Sequence, residues 1–225
     1  MTIPWSVRRP ELALMADQFQ RTYPTLHFVE RSAQVFMKGS FPISDEGNIL
    51  DWYQIEVEFQ PDYPESLPIV RETGGRIPRT PDRHVNPQDG SLCVGIPDSF
   101  WMDGTARAPL ASFMEGPVRT FLLCNSMVEN GDRWPFGEWE HGGTGLLRYY
   151  SQLLSIPDPR RVLALLECAT KTLPKGHLPC PCKSGRNFRR CHAQVVREVQ
   201  QRIPNLALRH SLLLIQQETS NARQA

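Results

Sequence analysis

His84-Val-Asn-Pro-Gln-Asp-Gly-Ser-Leu-Cys93 is the stretch on which the fold and the chemistry of this chain turn. One cysteine closes a Gly90-Ser91 turn, and a side-chain amide, Asn86, stands seven residues before it. A thiolate that attacks a carbonyl leaves negative charge on the oxygen, and that charge needs a hydrogen-bond donor aimed at it. Asn86 can supply the donor from a neighbouring loop; its other role would be to cap a turn. His84 suits bracing the loop through a ring hydrogen bond in preference to acting as a base. Upstream, Phe59-Gln-Pro-Asp-Tyr-Pro-Glu-Ser-Leu-Pro68 breaks a strand with closely spaced prolines. A lone cysteine is usually a small core residue, so it is this company that singles out Cys93.

The order of these features resembles that of a ubiquitin-conjugating enzyme. Members of that family run from an N-terminal helix through a meander of strands to a Tyr-Pro-x-x-x-Pro loop, His-Pro-Asn, Gly-x-(Ile/Leu/Val)-Cys, a tryptophan and a long helix. Tyr63-Pro64 with Pro68, His84-Val85-Asn86, Gly90-Ser91-Leu92-Cys93 and Trp101 fill those places. Val85 stands where the family has proline, and the gap from Asn86 to Cys93 is a residue shorter than is usual in eukaryotic members. The run from Trp134 to Gly145 is similar to a segment of bacterial relatives. The resemblance covers roughly residues 8 to 150. It implies an α+β fold: an N-terminal helix, a four-stranded antiparallel meander, an active-site loop and C-terminal helices.

A coarse reading of periodicity agrees. Leu12, Met15, Ala16 and Phe19 fall at helical spacing, and Pro10 suits a first helical turn. Tyr53, Ile55, Val57 and Phe59 alternate with polar neighbours as in a half-buried strand, and Val35, Met37 and Phe41 do so loosely. Asp45-Glu-Gly-Asn48 is a turn signal between the two strands, and Ile69 to Glu72 predicts an edge strand. Phe113, Met114, Val118, Phe121, Leu122, Met127 and Val128 form a helical stripe interrupted by Gly116-Pro117, so the main helix is expected to start near Gly116. Gly142 to Leu154 predicts another helix. Asp158-Pro159 predicts the capped start of a helix over 160–172, with Val162, Leu163, Leu165 and Leu166 inward. Cys124 and Cys168 are expected in the core, Trp134, Phe136 and Trp139 in an aromatic cluster, and His141 in a loop.

Composition suits a globular protein. The chain has 225 residues, 40% of them hydrophobic, and can bury one sizeable core plus a small appendage. Net charge is +1, unevenly spread: residues 1 to 159 carry 13 Lys+Arg against 21 Asp+Glu, and residues 160 to 225 carry 12 against 3. A basic tail on an acidic body suggests intramolecular docking, an acidic partner for the tail, or solvated helix faces. No targeting segment or apolar stretch of membrane-spanning length is visible, so a cytoplasmic protein with no membrane partner is expected. Six cysteines, three of them within twelve positions, point away from a disulfide scaffold and toward metal or catalytic work.

The second motif is Cys180-Pro-Cys182 followed, eight residues on, by Cys191-His192. Three thiolates and an imidazole suit tetrahedral Zn2+ with no position left for water, which predicts a structural site. Lys183, Arg186, Arg189 and Arg190 would offset the thiolate charge. The pattern, with Ser184-Gly185 and Phe188, resembles the SEC-C motif, a small zinc-dependent binding module of bacterial proteins. The expected organisation is a conjugating-enzyme-like domain over 1–156 and a helical tail over 157–225, its zinc motif at about 175–193. Without zinc that motif is expected to be disordered, and 195–217 partly helical.

The resemblance implies a transferase: Cys93 receives a ubiquitin-like protein from an activating enzyme as a thioester and passes it to an amine on a protein target. Asp98 and Asp103 are both within range by sequence to orient the amine. Bacterial relatives are often encoded in antiphage systems. A chain of this fold can also be a catalytically silent adaptor, whose zinc tail binds protein or nucleic acid; protein ranks above nucleic acid because Phe188 is the tail's only stacking aromatic.

Overall fold

The computed structural model describes residues 4–135 and 142–221. Phe136, Trp139 and His141 lie outside the described residues. The chain divides into two compact units, Met1–Gly95 with Arg107–Gly137, and Ile96–Ala106 with Glu138–Ala225. The architecture is α+β, with a four-stranded antiparallel sheet in the first unit and C-terminal helices in the second.

The first unit opens with α1 (Trp5–Arg8) and α2 (Pro10–Thr22). Leu12, Ala16 and Phe19, spaced by four and three, form the buried stripe of α2. The sheet follows in sequence order, β1 (Leu26–Arg31), β2 (Gln34–Asp45), β3 (Asn48–Phe59) and β4 (Ile69–Glu72). In the long hairpin Val35 faces Phe59, Met37 faces Val57 and Phe41 faces Tyr53, so alternate residues of both strands enter one core. Its turn is Glu46-Gly47, both at positive φ (44° and 84°), the twist that matches paired strands. Gly39 is required where it sits: its φ is 141°, and a Cβ there would lie 2.0 Å from the Thr25 carbonyl oxygen.

The proline-broken segment after β3 is held from two sides. Arg9 donates to the carbonyl of Tyr63 at 2.9 Å, and the Tyr63 ring meets Phe59 edge to face at 5.1 Å. Beyond β4 the carboxylate of Glu72 accepts the backbone N–H groups of Gly74 (2.6 Å) and Arg76 (3.1 Å), folding the next loop back on the sheet. Arg76 fixes that loop again, through Asp51 and Glu129. The segment 74–87 thus has no regular strand or long helix yet is tied down along its length.

Helix α3 (Pro97–Asp103) belongs to the second unit, and the first resumes at α4 (Leu110–Phe113), a wide π turn (Met114–Val118) and α5 (Arg119–Glu129). The expectation of a start near Gly116 is corrected here: the helical path begins at Leu110. Pro117 cannot donate to an ordinary helical hydrogen bond, and the widened turn takes it up without ending the helix.

The second unit packs α3 with α6 (Gly142–Leu154), α7 (Pro159–Ala169), α8 (Ala193–Arg202) and α9 (Asn205–Asn221). Asp158 caps α7 as expected, its carboxylate accepting the Arg160 N–H at 2.9 Å. Val162, Leu165 and Leu166 are buried on α7, whereas Leu163 and Cys168 are half-buried. A Cβ on Gly143 would stand 2.3 Å from the Leu214 carbonyl oxygen, so α6 and α9 cross at backbone contact. Ile203 is extended (ψ 126°) before Pro204 and separates α8 from α9. No helix among the described residues is long and apolar enough to cross a membrane.

Candidate functional site

Cys93 ends a short ladder attached to the edge of the sheet. Val85 and Leu92 form an antiparallel bridge, flanked by the Asn86 N–H donating to Ser91 and the Cys93 N–H donating to His84, both at 2.9 Å. The Gly90 N–H closes the intervening turn on the Asn86 carbonyl at 2.8 Å, and the Leu92 N–H reaches the Val70 carbonyl of β4 at 2.8 Å. Val85 and Leu92 are buried. Alternation then puts Asn86 with Ser91 opposite it, and Cys93 with His84 opposite it, on the other face of the ladder.

The turn is braced by side chains distant in sequence. Asp89 accepts from the Ser91 N–H (3.0 Å) and hydroxyl (2.7 Å), while Arg71 donates to the Asp89 carbonyl (3.0 Å). Gly90 has φ 72°, and a Cβ there would lie 2.9 Å from the Arg79 guanidinium carbon. Asn86 accepts the Gln88 N–H through Oδ1 at 3.1 Å. That contact leaves the NH2 end of the amide as its donor. His84 is 6% exposed, with left-handed backbone (φ 54°), and its ring lies against Trp134 with centroids 4.3 Å apart. The two rings are tilted by 40°, and the contact joins residues fifty apart that no local pattern connects.

Among the free cysteines Cys93 is exposed, whereas Cys124 is buried. Burial of its base, followed by the Asp89 carboxylate, pushes the Cys93 thiol above its ordinary value. Both effects disfavour the thiolate, so the resting group is the neutral thiol at neutral pH. The expected result is an iodoacetamide reaction at Cys93, followed by peptide mass mapping, that accelerates about tenfold per pH unit from pH 6 to beyond pH 8.5. A plateau below pH 8 would show an activated thiolate instead.

The two acidic candidates differ sharply. Asp98 is 1% exposed; its Oδ2 accepts from the Tyr150 hydroxyl at 2.5 Å and its Oδ1 has no hydrogen-bond partner among the described residues. Burial raises its pKa against the pull of Tyr150, Ser211 and His210. Asp103 is exposed and accepts the Thr105 N–H at 2.8 Å. Of the pair, Asp103 is the one in reach of solvent.

Cys180, Cys182, Cys191 and His192 come together, their ligand atoms all within 4.8 Å of one another. The chain makes this pocket as a small hairpin: Pro179 bridges Asn187, the Cys180 N–H donates to Arg186 at 2.9 Å, and the Phe188 N–H donates to Leu178 at 2.8 Å. Its tip turns through left-handed Lys183 and Gly185. Cys182 Sγ is 3.5 Å from Cys191 Sγ, and His192 Nδ1 is 3.4 Å from Cys180 Sγ and 3.2 Å from Cys191 Sγ. The edges of a zinc tetrahedron with these donors are about 3.5–3.8 Å, so the cluster is compatible with that ion after small adjustments. His192 Nε2 lies 3.1 Å from the Leu154 carbonyl of α6, which fixes the tautomer that leaves Nδ1 free to ligate. Burial pushes the Cys180 thiol up to about 12; Cys182, although burial opposes it, is drawn down to about 6 by hydrogen bonds from Ser184 and Cys180. Ser184 was part of the motif read from the sequence, whereas Leu154, 38 residues away from His192, carried no signal for its supporting role.

A family model of the SEC-C motif matches residues 178–194. Neither the curated proteins nor the solved structures provide a match to this chain. The segment 178–194 is therefore similar to a SEC-C motif, and its Cys3His cluster fits metal binding.

Proposed function

We propose that the chain is a ubiquitin-conjugating-enzyme-like carrier, with a body of that fold over about 1–156 and a tail over 157–225 ordered by structural zinc. The observation that carries the reading is an exposed thiol on a braced ladder, with an amide donor on the same face. The helix followed by a four-stranded meander is the framework such an enzyme uses.

The Cys93 thiol loses its proton to solvent and the thiolate attacks the thioester carbonyl that joins a ubiquitin-like protein to its activating enzyme; a C–S bond forms, the old C–S bond breaks, and the activating enzyme's thiolate leaves and takes up a proton. An amine of the target then attacks the new thioester. The C–N bond forms, the Cys93 thiolate leaves, and the amine's proton passes to solvent. In both steps the Asn86 NH2 faces the developing oxyanion. A thiol held above its ordinary pKa is a poorer leaving group, so the loaded carrier resists hydrolysis until the donor and the amine act together.

In lysate of the native host supplied with ATP, the tagged chain is expected to gain a protein-sized adduct on non-reducing gels. Thiol reductant should remove it, and Cys93→Ala should prevent it. An adduct that persists in Cys93→Ala would place the chemistry elsewhere.

A further inference from the structure

The loop that delivers Asn86 is clamped onto α5 by a polar contact that the thioester steps do not use. Arg83 ends a short 3₁₀ turn (Pro81–Arg83). Its Nε donates to Asn125 Oδ1 at 2.9 Å, and a terminal guanidinium nitrogen donates to the Asn125 backbone carbonyl at 3.3 Å. Asn125 is 0% exposed, and its Nδ2 donates to the Phe121 carbonyl at 3.2 Å, so both ends of its amide are committed. Glu129, one turn further along the same face of α5, lies 3.7 Å from Arg83 and 2.7 Å from Arg76. The guanidinium fork of Arg83 is thus seated on a buried side chain of a long helix, the kind of geometry that lysine does not reproduce.

The two strands of the Cys93 ladder are anchored separately. The strand of Cys93 is fixed to the sheet, because Leu92 donates to Val70 at 2.8 Å and Ser91 bridges Arg71. The strand of Asn86 lies outside it, and one residue, His84, separates that strand from the Arg83 clamp. His84 is left-handed (φ 54°), a conformation that side chains with a Cβ rarely adopt and that persists only where the surroundings hold it on both sides. On one side stands Arg83 on α5; on the other, the His84 carbonyl accepts the Cys93 N–H at 2.9 Å. Loss of the clamp frees the His84 backbone and lets the outer strand shift against the inner one. We propose that Arg83 is a positioning residue for discharge: seated on Asn125, it holds the strand of Asn86 at the angle that aims the amide at the oxyanion of an acyl group on Cys93. The inference deepens the carrier reading and rests on it.

The test charges the full-length, zinc-loaded chain with the phenylthioester of N-acetylglycine, which stands in for the C-terminal glycine of a modifier. The Cys93 thiolate attacks the carbonyl, a C–S bond forms, and thiophenolate leaves. Free lysine is then added; its amine attacks, the C–N bond forms, the C–S bond to Cys93 breaks, and the amine's proton passes to solvent. Intact mass follows both steps, and Cys93→Ala charged in parallel accounts for acyl groups on other thiols. Misplacement of a reacting group by about 1 Å costs up to roughly 100-fold, so Arg83→Met, which keeps the stem and loses the fork, should slow discharge about 10- to 100-fold while loading stays within about twofold of wild type. Asn125→Leu, which removes the seat from the other side, should do the same. Because Arg83 acts through Asn86, adding Arg83→Met to Asn86→Ala should slow discharge by less than about twofold further, a result that general damage to the ladder would not give. Discharge that depends on Asn86 but is unchanged in both Arg83→Met and Asn125→Leu overturns the inference and leaves the carrier reading standing. Equal slowing of loading and discharge, or effects of Arg83→Met and Asn86→Ala that multiply in full, overturns it in the same way. Discharge that Asn86→Ala does not slow removes the donor role of Asn86 and the inference together, and a Cys93 that takes no acyl group overturns the carrier reading as well.

Discussion

Stripping zinc from the chain should unfold the hairpin over 175–193 and leave the sheet intact. The hairpin's own core consists of Phe188 with the Cys180 and Cys182 side chains. Burying one phenylalanine contributes about 2–3 kcal/mol, whereas ordering this many residues costs on the order of 1–2 kcal/mol for each backbone unit fixed. Apolar burial falls far short of that cost. A structural zinc site contributes on the order of 10 kcal/mol, which makes up much of the difference. Hydrogen exchange reads the outcome directly: the amides of Cys180, Phe188 and Arg189, bonded to Arg186, Leu178 and Gly176, should lose protection on chelation, while the β2–β3 amides keep theirs. Helix α8 should persist, because Val196 and Val199 are buried and α8 packs on α7. Cys191→Ala should reproduce the chelated pattern. Unchanged protection of the Phe188 and Arg189 amides in metal-free protein would show that the hairpin folds on its own and that the cluster is not structural.

Replacing Asn86 should separate loading from discharge. Removing one oxyanion donor typically costs about 3 kcal/mol of transition-state stabilisation, so Asn86→Ala should discharge its thioester to an amine about 100-fold more slowly in single turnover, with loading less affected. Because Oδ1 also accepts the Gln88 N–H, an alanine could act through the turn instead. Asn86→Asp distinguishes the two: it keeps that acceptor and lacks the donor. Slow discharge in both variants is the expected result, and wild-type discharge in Asn86→Asp would reduce Asn86 to a turn cap.

What the sequence made legible was local. The segment 84–93 could be read because its turn closes within five residues, from Asn86 to Gly90, and the Cys180 to His192 cluster because its ligands lie in two nearby pairs. The β3 strand announced itself by alternation, since one of its faces is buried. Strand β1 did not: it buries Leu26 and leaves most of its other residues partly or wholly exposed, so its pattern carries little signal. The start of the helix before α5 was misplaced by six residues because a proline usually opens a helix, and here a π turn absorbs it. The break at Ile203-Pro204, which divides the stretch 195–217 into two helices, was not read from the sequence, although it follows from proline's effect on the preceding residue. The contact of His84 with Trp134, the burial of Asp98 and the hold of Leu154 on His192 depend on packing across long separations. Charge was read both as a tail-wide excess and as four cations, Lys183, Arg186, Arg189 and Arg190, close in sequence to the zinc motif.

The most direct test of the central claim is the intact mass of Cys93→Ser protein purified from its native host, with Cys93→Ala purified in parallel. A serine oxyester survives isolation where a thioester is lost. A protein-sized adduct on the serine variant alone is the predicted result, and its mass would identify the modifier. No adduct on Cys93→Ser, from a host shown to express an activating enzyme, would contradict the carrier function.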